Sequence, residues 1–495
     1  MRFLFILFLV LILAVAVVGF YHIRKPLPEG LDYRGGSRIL NPEDIRFFAD
    51  VTASTETGDR WVQQEIFEAM FEQIREADAF IVADFFLINE FAGGVPEGSS
   101  DGSLSRRFVD ALIEARRTHP EMPIILISDP LNTVYGGVEQ PLFLKLEENG
   151  IEVVLTDIRK LRDSNRVFSP FWRALFQWWG DPQGELIANP IGEGRIGLPA
   201  MLELLNFKAN HRKTLVTATE EGSLTGFVTS ANPHSASALH GNVAVSFDGE
   251  LAVDLLRSEE AVYRMSTGFG FPTKIEKFLQ RTYESPKGTE SSLSAVILTE
   301  KAIKRELIDR IDRLDRSDRA DLALFYFADM DLRDALARAT GRGAKVRLLM
   351  DPNKDAFGRG KNGIPNRQMA SWLIGEGIEV RWYRTSGEQF HSKMGLFHYG
   401  NIQDTLVLGS ANWTRRNLEN LNLETSVSIT GPSTSPVFKD AEEYFSFVWT
   451  NGYRRQSGEV PGDLVTSAPY SEYQDSSMFR KILYWIMETS GASTF

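Results

Sequence analysis

The sequence contains no cysteine, which excludes disulfides, thiolate nucleophiles and cysteine-bound zinc. Basic side chains are also in short supply, since 54 Lys and Arg stand against 66 Asp and Glu. The resulting formal net charge of -12 argues against a protein that coats nucleic acid without regard to sequence, because phosphate binding normally appears as an excess of Lys and Arg. A small basic cleft remains compatible with this composition.

A long hydrophobic run stands at the N-terminus, where the residues from Phe3 to Phe20 are apolar throughout. At about 1.5 Å per residue, such a run is long enough to cross most of a bilayer. A cleaved signal peptide is the alternative, with Ala14 to Ala16 as a weak cleavage site. We favour an uncleaved single-pass anchor within residues 1–25, in a bacterial inner membrane. Basic residues flank the run on both sides, so the side of the globular part stays open, with a slight preference for the extracytoplasmic side.

The chain contains two copies of one pattern. The first copy reads DAFIVADFFLIN, RRFVDALIEARR, PIILISDP and LEENGIEVVLTD, and the second reads ADLALFYFADMD, LRDALARATGRG, KVRLLMDP and LIGEGIEVRWYR. Short β-branched and aromatic runs alternate with amphipathic segments, which predicts βαβ units. We therefore expect an α/β protein with two lobes, each a mixed, mostly parallel sheet flanked by helices. The predicted limits are 31–285 for the first lobe, 291–455 for the second, a junction near Ser285 to Ser292, and a C-terminal tail with an amphipathic helix over 456–495.

Both copies carry the same polar motif at corresponding places. The first copy has NHRK followed by TSAN, and the second has FHSK followed by GSAN. In each copy 21 positions separate the histidine from the asparagine, an agreement that chance rarely produces. The candidate site residues are therefore His211, Lys213, Ser230 and Asn232 in the first copy and His391, Lys393, Ser410 and Asn412 in the second, and the two serines are expected to contact the substrate.

These motifs resemble the phospholipase D superfamily, whose mark is a twice-repeated His-x-Lys-x-x-x-x-Asp followed by a Gly/Ser-x-Asn segment. The resemblance spans roughly residues 31 to 455 and implies two similar α/β lobes whose motifs meet at one site. The aspartate of the motif is missing twice, because Ala218 and His398 occupy its two positions. In the family that carboxylate is mostly a supporting residue, so its loss weakens the expectation of activity without removing it.

The residue types suit phosphodiester chemistry. A catalyst must neutralise the non-bridging oxygens, present a nucleophile in line, and protonate the leaving alkoxide. Residues i and i+2 of a strand project from one face, so each histidine would face the phosphate together with its lysine. One neutral imidazole would attack phosphorus to give a phosphohistidine, and the other, protonated, would donate to the leaving oxygen. The lysines and asparagines would hold the equatorial oxygens, and the scheme needs no metal or other cofactor.

The two copies differ in the acceptor that fixes a histidine tautomer. With a constant offset of 180 between the copies, Glu424 corresponds to Ala244 and Asn422 to Asn242. We therefore expect Glu424 to orient His391. The first copy then lacks an equivalent carboxylate, and the choice of nucleophile between the two histidines stays open.

The first copy also carries an insertion, residues 158–208, that is rich in aromatic residues. Its segment SPFWRALFQWWGDP places Trp172, Trp178 and Trp179 close together, a composition that suits a lipid headgroup boundary or an acyl groove, so the three are candidate substrate-binding residues. A core helix covering the first sheet is the equally weighted alternative. The C-terminal MFRKILYWIMETS is similarly amphipathic and similarly open to both interpretations.

Three functions compete on these observations. We favour a membrane-anchored phosphatidyltransferase or phospholipase that resembles bacterial cardiolipin synthases, with phospholipid as substrate and the membrane as partner. A nuclease of the same superfamily is the first alternative, for which the Arg310, Arg313, Arg316 and Arg319 cluster counts slightly. A catalytically impaired lipid-binding homologue is the second. Two half-sites in one chain remove the need for a protein partner.

Overall fold

A computed structural model of the chain describes residues 1–90, 103–283, 288, 292–356, 359–400, 403–451 and 463–493. Most of the predicted junction, Ser285 to Ser292, lies outside the described residues. The strands of the first half are β1 (Arg38–Leu40), β2 (Ile45–Thr55), β3 (Arg60–Gln63), β4 (Phe80–Phe85), β5 (Ile124–Ser128), β6 (Glu152–Leu155), β7 (Ile187–Ala188), β8 (Arg195–Ile196), β9 (Lys213–Ala218), β10 (Leu224–Thr229) and β11 (Asn242–Asp248). Those of the second half are β12 (Leu293–Thr299), β13 (Arg319–Leu324), β14 (Lys345–Met350), β15 (Asp355–Ala356), β16 (Arg359–Gly360), β17 (Glu379–Tyr383), β18 (Lys393–Tyr399), β19 (Gln403–Gly409), β20 (Thr425–Pro432), β21 (Leu464–Val465) and β22 (Ser467–Pro469).

Helices cover the sheets and extend the N-terminus. Those of the first half are α1 (Arg2–Arg24), α2 (Ile66–Glu76), α3 (Leu104–Thr118), α4 (Pro141–Glu148), α5 (Phe168–Phe171), α6 (Leu198–Leu204), α7 (Glu250–Thr267) and α8 (Thr273–Leu279). Those of the second half are α9 (Lys301–Asp312), α10 (Met330–Arg342), α11 (Asn366–Gly375), α12 (Arg415–Leu418), α13 (Pro436–Thr450) and α14 (Met478–Ser490). A π-helical turn, Trp172–Phe176, continues α5.

The two lobes repeat one sheet topology, which confirms the duplicated α/β fold. The central strands run β11-β10-β9-β4-β5-β6 in the first lobe and β20-β19-β18-β13-β14-β17 in the second. The βαβ pattern accounts for the parallel pairs β4-β5-β6 and β13-β14-β17. The motif strands instead form antiparallel hairpins, β9-β10 and β18-β19, so antiparallel neighbours outnumber parallel ones, contrary to the expectation of mostly parallel sheets.

Each sheet includes an edge strand from a part of the chain remote in sequence. β1, near the N-terminus, pairs with β12 of the second sheet, and β21, near the C-terminus, pairs with β2 of the first. β22 extends the second sheet by pairing with β17. The predicted domain limits remain predictions, and they do not include this exchange of edge strands. Strands of two or three residues are too short to give a periodic signal in the sequence.

The largest apolar core lies where the two sheets meet. It joins side chains of β9, β10 and β11, among them Val216 and Val245, to side chains of β18 and β19, among them Leu396 and Leu406. Separate cores lie beneath the outer helices of the first and second lobes. Because the shared core is close-packed, it fixes the two motif hairpins relative to each other.

Among the described residues, α1 is the one helix that is long and apolar enough to cross a membrane. It has 23 residues with a mean hydropathy of 3.3 in its most apolar window. Its C-terminal end is attached to the insertion, because the amide of Asp163 donates to the carbonyl of His22 at 3.0 Å and Arg162 Nε donates to the carbonyl of Lys25 at 2.8 Å.

Candidate active site

Each motif histidine precedes a strand and is held there by the opposite lobe. The amide of His211 donates to the carbonyl of Leu423 at 2.9 Å, and the amide of His391 donates to the carbonyl of Gly241 at 2.8 Å. The return bonds run from Leu423 to Ala209 and from Gly241 to Gln389, both at 3.0 Å. These bonds repeat with the symmetry of the two lobes, so the position of each histidine depends on both halves of the chain.

The two motifs open into one cavity of about 410 Å³. His211, His391, Asn232 and Asn412 line it. The lysines lie behind the histidines and are buried. Lys213 Nζ donates to the carbonyl of His211 at 2.8 Å, and Lys393 Nζ donates to that of His391 at 2.7 Å. The structure thus brings the predicted His, Lys and Asn residues together at one place.

Glu424 contacts His211 instead of His391, which corrects the predicted pairing. Glu424 Oε1 lies 2.8 Å from His211 Nδ1. Its position is fixed by Ser410, whose hydroxyl donates to Oε2, and by the side-chain amide of Asn417. His391 Nδ1 lies 3.1 Å from Asn242 Oδ1. Each histidine is therefore oriented from the other lobe, His211 by a carboxylate and His391 by an amide.

The pairing was mispredicted because the offset between the copies is not constant. Thr229 pairs with Ala244 across the first hairpin, and Gly409 pairs with Ser426 across the second. The offset is therefore 180 before the connecting loop and 182 after it, since the second copy has two extra residues there. Asn242 is consequently the structural equivalent of Glu424, and Ala244 is a buried core residue equivalent to Ser426.

The motif serines support the histidine partners from behind. Ser230 Oγ donates to Asn242 Oδ1 at 2.9 Å and accepts from the amide of Val243 at 3.0 Å. Ser410 Oγ accepts from the amide of Thr425 at 3.0 Å. Both serines are fully buried, so the geometry does not favour the predicted contact with substrate and gives them a positioning part instead.

Burial and like charge disfavour protonation of the histidines and lysines of the site. Burial lowers the pKa of His211 to about 4, although Glu424 opposes the change. Burial and the neighbouring Lys393 hold the pKa of His391 well below its usual value. Burial lowers the pKa of Lys213 to about 7, against the opposing carboxylates of Glu424, Asp84 and Asp129. A bound anion would reverse these shifts, since it favours the charged form of every cation it touches.

The two positions that lack the motif aspartate lie far from the cavity. Each is the sixth residue of its strand, counted from the motif lysine. At about 3.3 Å per residue, each therefore lies about 16 Å along the strand from that lysine. Ala218 is buried in the first lobe. His398 Nδ1 lies 2.9 Å from Asp404 and its Nε2 lies 3.3 Å from Asp321. The altered residues therefore belong to the packing of the strand ends.

The three tryptophans of the insertion do not line the cavity. Trp172 is buried, which agrees with the core-helix alternative for this residue and not with a surface that contacts lipid, and its ring lies 5.0 Å from the guanidinium of Arg173. Trp178 and Trp179 are exposed at the surface. Their predicted contact with lipid remains a proposal.

Two further pairs of residues shape the site and were not predicted. Phe86 and Phe325 each place a ring centroid 4.8 Å from that of the motif histidine in their own lobe. Asp129 accepts from the amide of Asn210 at 2.6 Å, and Asp351 accepts from that of Phe390 at 2.8 Å. The repeated Asp-Pro at the ends of β5 and β14 was the sequence signal that pointed to the aspartates.

Among the residues that the structure describes, no group of three or more His, Asp and Glu side chains is arranged to hold a metal ion. The expectation of chemistry without a cofactor stays a prediction.

The fold and site together define a two-lobed protein with one cavity between paired His-x-Lys motifs. Residues 307–449 match the family described as cardiolipin synthase, PLD-like domain. No curated protein sequence matches the chain. The family match covers most of the second lobe, and the first lobe repeats the same topology and the same His-x-Lys motif.

Solved structures are similar to parts or most of the chain at low sequence identity. Phosphatidylserine synthase of Haemophilus influenzae Rd KW20 is 12% identical with a TM-score of 0.56, over 92% of this chain and 96% of that one. Polyphosphate kinase from Porphyromonas gingivalis is 11% identical with a TM-score of 0.43, over 91% of this chain and 56% of that one. The phospholipase D family member Nuc from Salmonella typhimurium is 20% identical with a TM-score of 0.27, over 33% of this chain and 99% of that one. At these identities the first likeness establishes the fold and leaves the reaction open.

Proposed function

We propose that the protein is a membrane-anchored phosphodiesterase or phosphatidyltransferase that acts on phospholipids through a phosphohistidine. The single observation that carries this proposal is the cavity in which His211 and His391 meet, each oriented by a side chain of the opposite lobe. An imidazole that donates from Nδ1 to a fixed acceptor exposes the lone pair of Nε2, which is the form a nucleophile or general base needs.

The unequal partners of the two histidines support a division of roles. Glu424 compensates the positive charge that grows on His211 as it attacks phosphorus, so we take His211 as the nucleophile. The bond from Nε2 to phosphorus forms as the bond from phosphorus to the leaving oxygen breaks, and protonated His391 donates its proton to that oxygen. Neutral His391 then takes a proton from water or an alcohol, whose oxygen attacks phosphorus and releases His211.

The shifted pKa values suit a site that is charged only when occupied. Burial lowers the pKa of both histidines, which favours their neutral form. A phosphodiester anion between them raises the pKa of His391 and of the two lysines, so the general acid acquires its proton as substrate binds. Asn232 and Asn412 line the same cavity, and in this proposal they donate to the non-bridging oxygens.

A phospholipid substrate is supported by the family description and by α1, which is long and apolar enough to place the site at a bilayer. Three of the four arginines in the cluster that favoured a nuclease, Arg310, Arg313 and Arg319, are paired with carboxylates. Arg310 lies 2.7 Å from Glu306 and Arg313 lies 2.7 Å from Asp309. The cluster therefore offers less free positive charge to nucleic acid than the sequence alone indicated.

The test incubates the full chain with phosphatidylglycerol vesicles and, in parallel, with labelled single-stranded DNA. We expect glycerol release or cardiolipin formation, and its loss in His211→Ala and in His391→Ala. Protein quenched in alkaline detergent, which preserves the phosphorus–nitrogen bond, should carry lipid phosphate on His211 in a His391→Ala variant supplied with a substrate whose leaving group needs no proton. Cleavage of DNA alone, or lipid turnover that survives loss of either histidine, would contradict the proposal.

A further inference from the structure

The insertion lies along the anchor helix and reaches well into its length. The groove between them is lined by anchor residues as early as Phe8 and by insertion residues as late as Leu175. A Cβ on Gly19 would lie 2.6 Å from Cγ of Pro170, so the two backbones approach closely there. Since Phe8 precedes the attachment at His22 by 14 residues, the contact extends about 20 Å along α1.

The end of this insertion segment is apolar and exposed. Trp178 is 70% exposed and Trp179 is 74% exposed, and Phe171 and Phe176 are exposed on the same segment. A patch of large aromatic side chains beside a helix suited to lipid is typical of a surface that contacts lipid, since tryptophan concentrates at the membrane interface. A segment that packs along a membrane-spanning helix must lie in the same layer as that helix.

α14 presents a second apolar surface, and its C-terminal end contacts the insertion. Its inner face packs on Phe325 and Tyr326, which also line the cavity. Its outer face is exposed and follows helical spacing, and consists of Met478, Phe479, Ile482, Trp485 and Ile486. The amide of Arg166, at the start of the insertion helix, donates to the carbonyl of Ser490 at 2.9 Å, so the two apolar elements meet.

We propose that the insertion and α14 are embedded in the membrane leaflet that α1 enters, and that they bracket the cavity so that it opens towards lipid. The cavity wall supports this arrangement, because Ile191 and Phe207 come from the insertion and Tyr326 lies beneath α14. The embedding is independent of catalysis. Entry of a phospholipid from the bilayer to His211 and His391 rests on the proposed function.

The absence of cysteine makes the embedding directly testable by single labels on the full chain. The variants are Trp179→Cys for the insertion, Trp485→Cys for α14, Ile6→Cys for the anchor, and Glu148→Cys as an exposed control in the first lobe. Each is spin-labelled and reconstituted in vesicles of phosphatidylethanolamine and phosphatidylglycerol. Collision rates are measured with oxygen, which concentrates in lipid, and with a nickel chelate, which stays in water.

We expect labels at positions 6, 179 and 485 to collide preferentially with oxygen, and the label at 148 to collide preferentially with nickel. Preference for nickel at position 179 or 485, with position 6 still protected, would overturn the proposal. Preference for nickel at position 6 would overturn it too, because the anchor would then lie outside the bilayer.

A second measurement tests lipid entry and separates its failure from failure of the enzyme. In Phe479→Ser/Trp485→Ser we expect turnover of vesicle phosphatidylglycerol to fall about tenfold, with turnover of bis(p-nitrophenyl) phosphate changed less than about twofold. Leu144→Ser, an exposed leucine on α4, should change neither. Equal loss on both substrates would refute entry from the bilayer. Absence of turnover by the unaltered chain on both substrates would refute the proposed function and leave the labelling result standing.

Discussion

At the scale of single residues, the site depends on how each histidine is oriented from the opposite lobe. Glu424 is fully buried, accepts from the Ser410 hydroxyl and the Asn417 side-chain amide, and faces His211. A buried carboxylate in this position fixes the tautomer and balances the imidazolium charge. Its effect on chemistry should therefore exceed its effect on folding.

We predict that Glu424→Gln lowers kcat by about 10² to 10⁴ while KM changes little, because the wrong tautomer impairs attack more than binding. Steady-state kinetics on phosphatidylglycerol vesicles measure it. Glu419→Gln is the matched control, since Glu419 lies nearby but pairs with Lys301 and Lys304. A Glu424→Gln enzyme with unchanged kcat would show that His211 does not need the carboxylate.

His398, where the motif aspartate is missing, is predicted to affect stability and not catalysis. Burial would lower its pKa, but the carboxylates of Asp321 and Asp404 outweigh this and raise the pKa to about 9. The stabilisation is therefore fully present below about pH 6.5, the unfolded value, and is lost as the pH rises through about 9.

For His398→Gln we accordingly expect the free energy of unfolding to fall by on the order of 1–3 kcal/mol at pH 6, and the difference to shrink towards pH 9.5. Urea denaturation at both pH values measures it. Turnover of phosphatidylglycerol below the transition should be unchanged. A difference in stability that grows with pH would contradict the assigned ion pairs.

At the scale of elements, the repeated units could be predicted from the sequence, but the contacts between the two lobes could not. Periodicity identified β4, β5, β13 and β14 and the helices between them, because each carries a strong local signal. The pairing of Glu424 with His211 was missed because it crosses between lobes, and two extra residues after Asn412 shifted the alignment. The short edge strands β1 and β21 were missed because two or three residues carry no period.

Contact between α1 and the insertion gives an element-scale prediction at Gly19. A side chain there would collide with Pro170, whose Cγ lies 2.6 Å from the added Cβ. Gly19→Leu should improve the intrinsic helix propensity by up to about 1 kcal/mol, yet we expect it to lower the melting temperature in vesicles by separating the two segments. Val17→Leu, on an exposed position of α1, is the control and should leave the melting temperature unchanged.

At the scale of the whole molecule, the two lobes share structure in three ways. They exchange edge strands, they bond across the motif histidines, and they bury one apolar core between their sheets. Unlike two domains on a flexible linker, lobes joined in this way hold both half-sites in a fixed relation without a partner chain. The arrangement predicts that the lobes unfold together.

Leu406→Ala tests this cooperation, since Leu406 is fully buried on β19 in the core between the sheets. We expect a loss of about 2–5 kcal/mol in unfolding free energy, the usual range for such a truncation. Because the shared core holds both lobes, amide hydrogen exchange should accelerate to the same extent in β9 of the first lobe and in β18 of the second. Leu112→Ala, in the outer core of the first lobe, provides the comparison. If the lobes were independent, Leu406→Ala would accelerate exchange in β18 and leave β9 unchanged. The hydrogen bonds between lobes at His211 and His391 would then result from contact between two folded lobes and would not contribute to folding of the chain.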